Sequence, residues 1–345
     1  MKKGLVILIS AISILFSLMY FNCNTSETPS ITSLDVIEGS DAIRATGDMT
    51  LYVSPTGTSS GTGTIDSPVD LQTAINWIGV NGTIWVRGGT YTVTDSTLIK
   101  TGRTNSGTSG NLKKIFAYNS EVPVFNGSSM SFASASRILS IEGNYWHIKG
   151  ISFTGAGDNG MIVMGNYNTI ENCKFYANRD SGLQIARYLS STPTSEWPQG
   201  NLVLNCQSYD NYDTDNGEDA DGFACKLSVG SGNVFTSCYS HHNVDDGWDL
   251  YTYSDYDPIG PVKIQSCTAA YNGTTSSGQT TSSSDGNGFK LGGEGVSIMH
   301  TVISNVSNYN KKDGFTANSN PGPIYFTGNS GTGNGGVLFK DVTNQ

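Results

Sequence analysis

Asn172-Cys173-Lys174-Phe175-Tyr176-Ala177-Asn178, Asn205-Cys206-Gln207-Ser208-Tyr209-Asp210-Asn211, Ser237-Cys238-Tyr239-Ser240-His241-His242-Asn243 and Ser266-Cys267-Thr268-Ala269-Ala270-Tyr271-Asn272 are four versions of one phrase. Each carries a cysteine and, five residues later, an asparagine. Two later segments keep the spacing with asparagine in place of cysteine (Asn305 with Asn310, Asn329 with Asn334), and an earlier one has Gly150 with Gly155. Successive marks lie 23, 33, 32, 29, 38 and 24 residues apart, so a basic unit of about 23 residues carries insertions in its middle copies. Repetition at this period is the signature of a solenoid.

Working outward, short apolar runs precede the marks, as in Leu202-Val203-Leu204 and Val262-Lys263-Ile264. A second run follows each asparagine after a glycine: Gly182-Leu183, Gly222-Phe223, Gly247-Trp248, Gly288-Phe289, Gly314-Phe315. Two or three short strands per unit predict an all-β chain, a right-handed parallel β-helix built as a single-stranded solenoid. One coil cannot bury its own apolar face, so coils must stack. The cysteine file then points inward as small apolar filler, and the asparagine file satisfies turn backbone groups along the stack. Adjacent thiols lie about one strand spacing apart, ~4.8 Å, which does not exclude a disulfide. Four in one file, with Cys225 elsewhere, read as core packing. Leu71 to Ile78 (LQTAINWI) has helical spacing and is predicted to cap the first coil, protecting its strand edges. The insertions at 186–200, 212–220 and 273–286 are expected as loops on one side of the stack.

The N-terminus is a targeting segment. Lys2 and Lys3 precede an apolar run from Leu5 to about Phe21, too short for an ordinary membrane span. The run ends at Cys23, followed by polar Asn24 to Ser30. This reads as a lipoprotein signal over 1–22 with Cys23 lipidated, or as an ordinary secretory signal with Cys23 incidental. Residues 23–48 form a tether and 49–345 one β-helical domain. The expected protein is an exported monomer, touching a membrane only through a lipid on Cys23.

The formal charge of −10 and the lack of any basic patch exclude nucleic acid as a partner. A polyanionic sugar is repelled too, unless a cation mediates. The glycine of each second run gives an origin for finding such a cation. Two residues after it stand Gln184, Ala224, Asp249, Lys290 and Thr316; one before it stand Ser181, Asp221, Asp246, Asn287 and Asp313. Strand alternation turns the first set outward and makes Asp249 and Lys290 neighbours on adjacent coils. Asp245 precedes Asp246, so Asp221, Asp245, Asp246 and Asp249 are expected on one solvent-facing patch. Four carboxylates that close need a counter-charge. Calcium, with six to eight oxygen ligands, is the natural one. Asp313-Gly314 lacks the added aspartates and reads as ordinary turn chemistry.

Three ordered segments carry a family resemblance: Ala220-Asp221-Gly222-Phe223-Ala224-Cys225-Lys226-Leu227, Asp245-Asp246-Gly247-Trp248-Asp249-Leu250-Tyr251 and Gly286-Asn287-Gly288-Phe289-Lys290-Leu291-Gly292-Gly293. The chain from about residue 50 onward resembles polysaccharide lyase family nine, which holds pectate lyases and exopolygalacturonate lyases. The resemblance implies a calcium-dependent cleavage of polygalacturonate (pectate) by β-elimination, giving 4,5-unsaturated oligogalacturonides. It implies Asp221, Asp245, Asp246 and Asp249 as Ca2+ ligands and Lys290 as the base. Alternatives stay open: a lyase on another uronan such as alginate or a glycosaminoglycan, a hydrolase using paired carboxylic acids beside His241-His242, or a non-catalytic sugar-binding surface protein.

Overall fold

The computed structural model describes residues 49–343. The targeting segment and the whole of the tether expected from the sequence lie outside them. No helix among the described residues is long and apolar enough to cross a membrane.

Every ladder pairing is parallel, and the strands sort into one sheet of ten and two sheets of nine. The chain visits the three sheets in turn and then starts the next coil, which is a parallel β-helix. In the middle coils the ten-stranded sheet takes Leu202–Leu204, Asn233–Thr236 and Val262–Gln265. A second sheet takes Gln207–Tyr209, Tyr239–His241 and Thr268–Ala270. The third takes Phe223–Cys225, Trp248–Asp249 and Phe289–Lys290. The second sheet, between cysteine and asparagine, is the one the repeat reading did not separate. The helix Leu71–Trp77 forms where predicted, with the Asp70 carboxylate accepting from Thr73 N–H at 2.8 Å as N-cap. It buries Leu71, Ala74 and Ile75 against the first coils.

The core is a set of files. Phe223, Trp248, Phe289 and Phe315 stack with centroids 5.0, 4.7 and 4.6 Å apart. Cys173, Cys206, Cys238 and Cys267 are buried free thiols, as the packing reading expected. They also do the work of asparagine. Cys173 N–H points at Cys206 Sγ and Cys238 N–H at Cys267 Sγ, while Cys267 N–H and Asn305 N–H donate to Asn305 and Asn329 Oδ1. The asparagine file is a continuous ladder from Asn178 through Asn211, Asn243, Asn272 and Asn310 to Asn334. Each amide donates to the next Oδ1 at 2.7–3.0 Å. Cys238→Lys puts an unpaired ammonium into this stack and should abolish the cooperative thermal transition. A normally melting variant, followed by circular dichroism, would refute the inward file.

A second ladder runs Asn168, Asn201, Asn233, and two coils further on its place is taken by His300, whose Nδ1 accepts from Val262 N–H at 3.1 Å. Burial holds this imidazole neutral, its pKa lowered to about 4 from 6.5. Below the unfolded value only the unfolded chain takes the proton, so stability is lost as pH falls from about 6.5 to about 4 and stays level below. That gap is worth roughly 3 kcal/mol. His300→Asn, which restores the amide of the other rungs, should flatten the wild type's loss of urea stability across this window. An identical pH slope in both proteins would overturn the assignment.

Candidate metal and catalytic cleft

The register predicted from the glycines holds. Ala224 pairs with Asp249, Asp249 with Lys290, and Lys290 with Thr316. Their neighbours Phe223, Trp248 and Phe289 fill the core, so alternation points Asp249 and Lys290 away from it. The glycine before each strand is required by close approach. A Cβ on Gly222 would lie 1.9 Å from Ser240 Oγ, and one on Gly288 2.0 Å from Ser307 Oγ.

One expectation changes. The patch was read as solvent-facing, but Asp221, Asp245, Asp246 and Asp249 are all buried. The insertions supply part of the cover: Glu218 and Asp219 from one, Ser283 and Asp285 from another, form walls of a cleft of about 500 Å³. Asp245, Asp249, Lys226 and Lys290 also line this cleft, with Tyr251 and Tyr253.

Asp221, Asp245 and Asp246 each offer a carboxylate oxygen within 4.8 Å of the other two. They are anchored by main-chain donors. Asp221 Oδ1 accepts from Asp246 N–H at 3.2 Å, Asp245 Oδ1 from Asp285 N–H at 2.6 Å, and Asp246 Oδ1 from Asn287 N–H at 2.6 Å. Asp246 Oδ2 is buried and accepts no hydrogen bond; its nearest cation is Lys290 Nζ at 3.3 Å. Asp249 belongs to a different arrangement. Lys226 Nζ reaches its Oδ2 at 2.8 Å, and Tyr251 N–H donates to its Oδ1 at 2.9 Å. Lys226 also contacts Asp221 at 3.2 Å and Asp219 at 3.5 Å.

The electrostatics follow. Burial, reinforced by the neighbouring carboxylates, pushes Asp221 and Asp245 well above the usual range and Asp246 up to about 6. Burial would raise Asp249 too, but Lys226 and then Lys290 outweigh it and hold this carboxyl down. Burial alone would lower Lys290; Asp249, Asp246, Asp245 and Asp221 overcome it and hold the ammonium well above an ordinary lysine. Three buried, clustered carboxylates, one of them with an oxygen that accepts no hydrogen bond, form a hard-oxygen donor set that fits a calcium ion.

Lys226 is the residue sequence reasoning missed. Two positions past Ala224 on the same strand run, alternation alone puts it on the face of Asp249. Conversely, His241-His242, read as near the site, belongs elsewhere. His241 stands in the second sheet, stacked 4.9 Å from Tyr209, and neither histidine lines the cleft. Asp313 caps Val337 N–H at 2.9 Å, consistent with a turn role.

Comparison with known proteins agrees with this architecture. Residues 51–344 match the family model described as Pel9A-like, right handed beta helix region. A Paenibacillus polymyxa protein named pectate lyase L is 46% identical over 95% of this chain and 74% of its own length. Pectate lyase PEL9 of Emericella nidulans is 34% identical over 84% of this chain and 74% of its own. The crystal structure of pectate lyase Pel9A superposes with a TM-score of 0.71 at 32% identity, covering 82% of this chain and 68% of that one. The fold, the three signature segments and these relatives together place the chain in the Pel9A-like right-handed β-helix family, polysaccharide lyase family nine.

Proposed function

We propose that this protein is a calcium-dependent pectate lyase that cleaves polygalacturonate by β-elimination. The observation that carries the reading is the clustering of the Asp221, Asp245 and Asp246 carboxylates, with the buried Oδ2 of Asp246 accepting no hydrogen bond and lying 3.3 Å from Lys290 Nζ. Asp221, Asp245 and Asp246 would hold the calcium, with Asp249 at the edge of the set. A calcium ion bound there would supply the positive charge that neutralises a uronate carboxylate and offsets the aspartates around Lys290.

The residues of the chain do the rest. Lys290, as the neutral amine, takes the proton on C5 of the sugar. The C5–H electron pair becomes the C4–C5 double bond, and O4 leaves with the C4–O4 pair to be protonated. The product is a 4,5-unsaturated oligogalacturonide, and no water attacks the anomeric carbon. Lys226, paired with Asp221 and Asp249, holds these two carboxylates in place against their mutual repulsion. The apolar leader and Cys23 support export, as a secreted or lipid-anchored protein.

The test is ultraviolet absorbance of the unsaturated product on polygalacturonate, with alginate as comparison. Absorbance should grow on polygalacturonate with calcium present. New reducing ends without absorbance would mean hydrolysis and sink the reading.

A further inference from the structure

The cleft does not end at Lys226. Asp219, Lys226 and Leu227 are shared with a second, larger cavity of about 720 Å³. This cavity lies over the preceding coils of the same sheet, whose strands Met161–Val163 and Leu183–Ile185 pair in register beneath it. Its floor differs from the catalytic cleft. Ile162 and Ala186 form, with Met164, a small apolar cluster outside the main core, with Tyr188 and Leu227 packed against it. An apolar shelf with a few fixed polar groups is the usual form of a sugar or small-ligand site.

The polar groups include three arginines, and they are not equivalent. Arg137 is taken by Asp158 at 2.8 Å and Arg187 by Asp257 at 2.6 Å. Elsewhere Arg87 pairs with Glu121 and Arg103 with Glu196. Of the five arginines among the described residues, only Arg179 has no carboxylate partner. It lines the cavity, half-buried, three residues before the Gly182 that opens Leu183–Ile185. Among the other carboxylates lining the cavity, Asp213 accepts from Asp215 and Gly217 N–H, Asp180 from Asn159 Nδ2 and Ser181 N–H, and Asp219 lies 3.5 Å from Lys226; Asp215 lines it as well. The coil of Gly182 lies three coils before that of Lys290, about 14 Å along the stack at ~4.8 Å per coil. A uronide chain seated at Lys290 and running along the sheet therefore passes over the shelf and presents further carboxylates there.

We propose that Arg179 and the shelf of Ile162, Ala186, Tyr188 and Leu227 form a distal uronate subsite, with Arg179 as the carboxylate partner. The proposal rests on the pectate reading for its ligand. A guanidinium fork matches a carboxylate in two parallel hydrogen bonds, which a lysine cannot reproduce.

Binding can be measured without turnover. Titration calorimetry with the full chain in a Lys290→Ala background, at saturating calcium, compares hexagalacturonate with digalacturonate. Adding Arg179→Ala should weaken hexamer binding about tenfold or more and dimer binding much less. Arg179→Lys should recover only part of the hexamer affinity. Calcium affinity, measured alongside, reports that the double variant is folded. Equal affinities for the hexamer with and without Arg179, or equal losses for both lengths, would overturn the subsite. These results are separable from the fate of the lyase reading. An Arg179-dependent hexamer titration combined with no elimination product in the wild type leaves the subsite standing and removes the activity; absence of any uronide binding removes both.

Discussion

Lys290→Ala is expected to lower turnover on polygalacturonate by about 10²–10⁴-fold, the usual worth of a positioned base, while calcium and oligogalacturonate still bind. Lys290 stands on Phe289–Lys290, one coil beyond Asp249, with its amine over the cleft. Lys290→Arg should be nearly as poor, although it keeps the charge. A guanidinium stays protonated at any workable pH and cannot accept the C5 proton. This contrast separates a base from a group that merely holds substrate, which would tolerate arginine. The aspartates raise the Lys290 pKa, so the neutral amine gains population as pH rises. Activity should therefore climb toward alkaline pH, and the climb should vanish from both variants. Substantial turnover in Lys290→Arg at saturating calcium, or a wild-type optimum well below neutrality, would place the base elsewhere.

Removing divalent ions should have a comparable effect. Exhaustive chelation is expected to bring product formation to background, and added calcium to restore it. The decisive variant is Asp246→Asn rather than Asp246→Ala. Asp246 Oδ1 accepts from both Asn287 N–H and Asn287 Nδ2. Alanine would leave these buried donors unpaired, at about 1–3 kcal/mol each, and mix folding with metal binding. Asparagine keeps an acceptor there and removes the charge. Its calcium requirement should rise roughly tenfold or more, since affinity follows ligand charge. Melting temperature gives a readout independent of activity. Calcium at a hundred times its Kd adds about 2.7 kcal/mol to the native state, a shift that Asp246→Asn should lose at the same concentration. Full activity after chelation, or no calcium-dependent shift in the wild type, would end the metal assignment.

The solenoid was legible because its constraint repeats. Cys173, Cys206, Cys238 and Cys267 keep one distance to Asn178, Asn211, Asn243 and Asn272 whatever lies between coils. The same periodicity located the face shared by Asp249 and Lys290, since alternation along a strand is geometric. The Cys-to-Asn strands were harder to separate. Tyr239–His241 and Gln207–Tyr209 each leave two of their three residues half-buried and bury a serine, so no apolar run marks them. The burial of Asp221 and Asp246 was not legible either. It depends on how 212–220 and 273–286 fold over the cleft, and no period governs those loops. Lys226 was within reach of the alternation argument, but its partners are set by three-dimensional proximity across coils. His241-His242 misled because closeness in sequence to Asp245 does not survive the turn between the second and third sheets.

The amide ladder has a consequence for how such a protein can diversify. Consecutive rungs sit between 24 and 38 residues apart in the chain, yet the Nδ2-to-Oδ1 contact stays within 2.7–3.0 Å. Residues inserted in the loops between rungs, outside the strands, therefore leave the stack in register, and lengthening a loop twofold costs only ~0.6 kcal/mol of closure entropy. Selection can remodel the walls of the cleft, one loop at a time, while the scaffold that aligns the carboxylates with Lys290 is inherited unchanged. Specificity and foldability are in this sense separately heritable, and loop exchange between relatives at the asparagine rungs is the natural route to new substrate preferences.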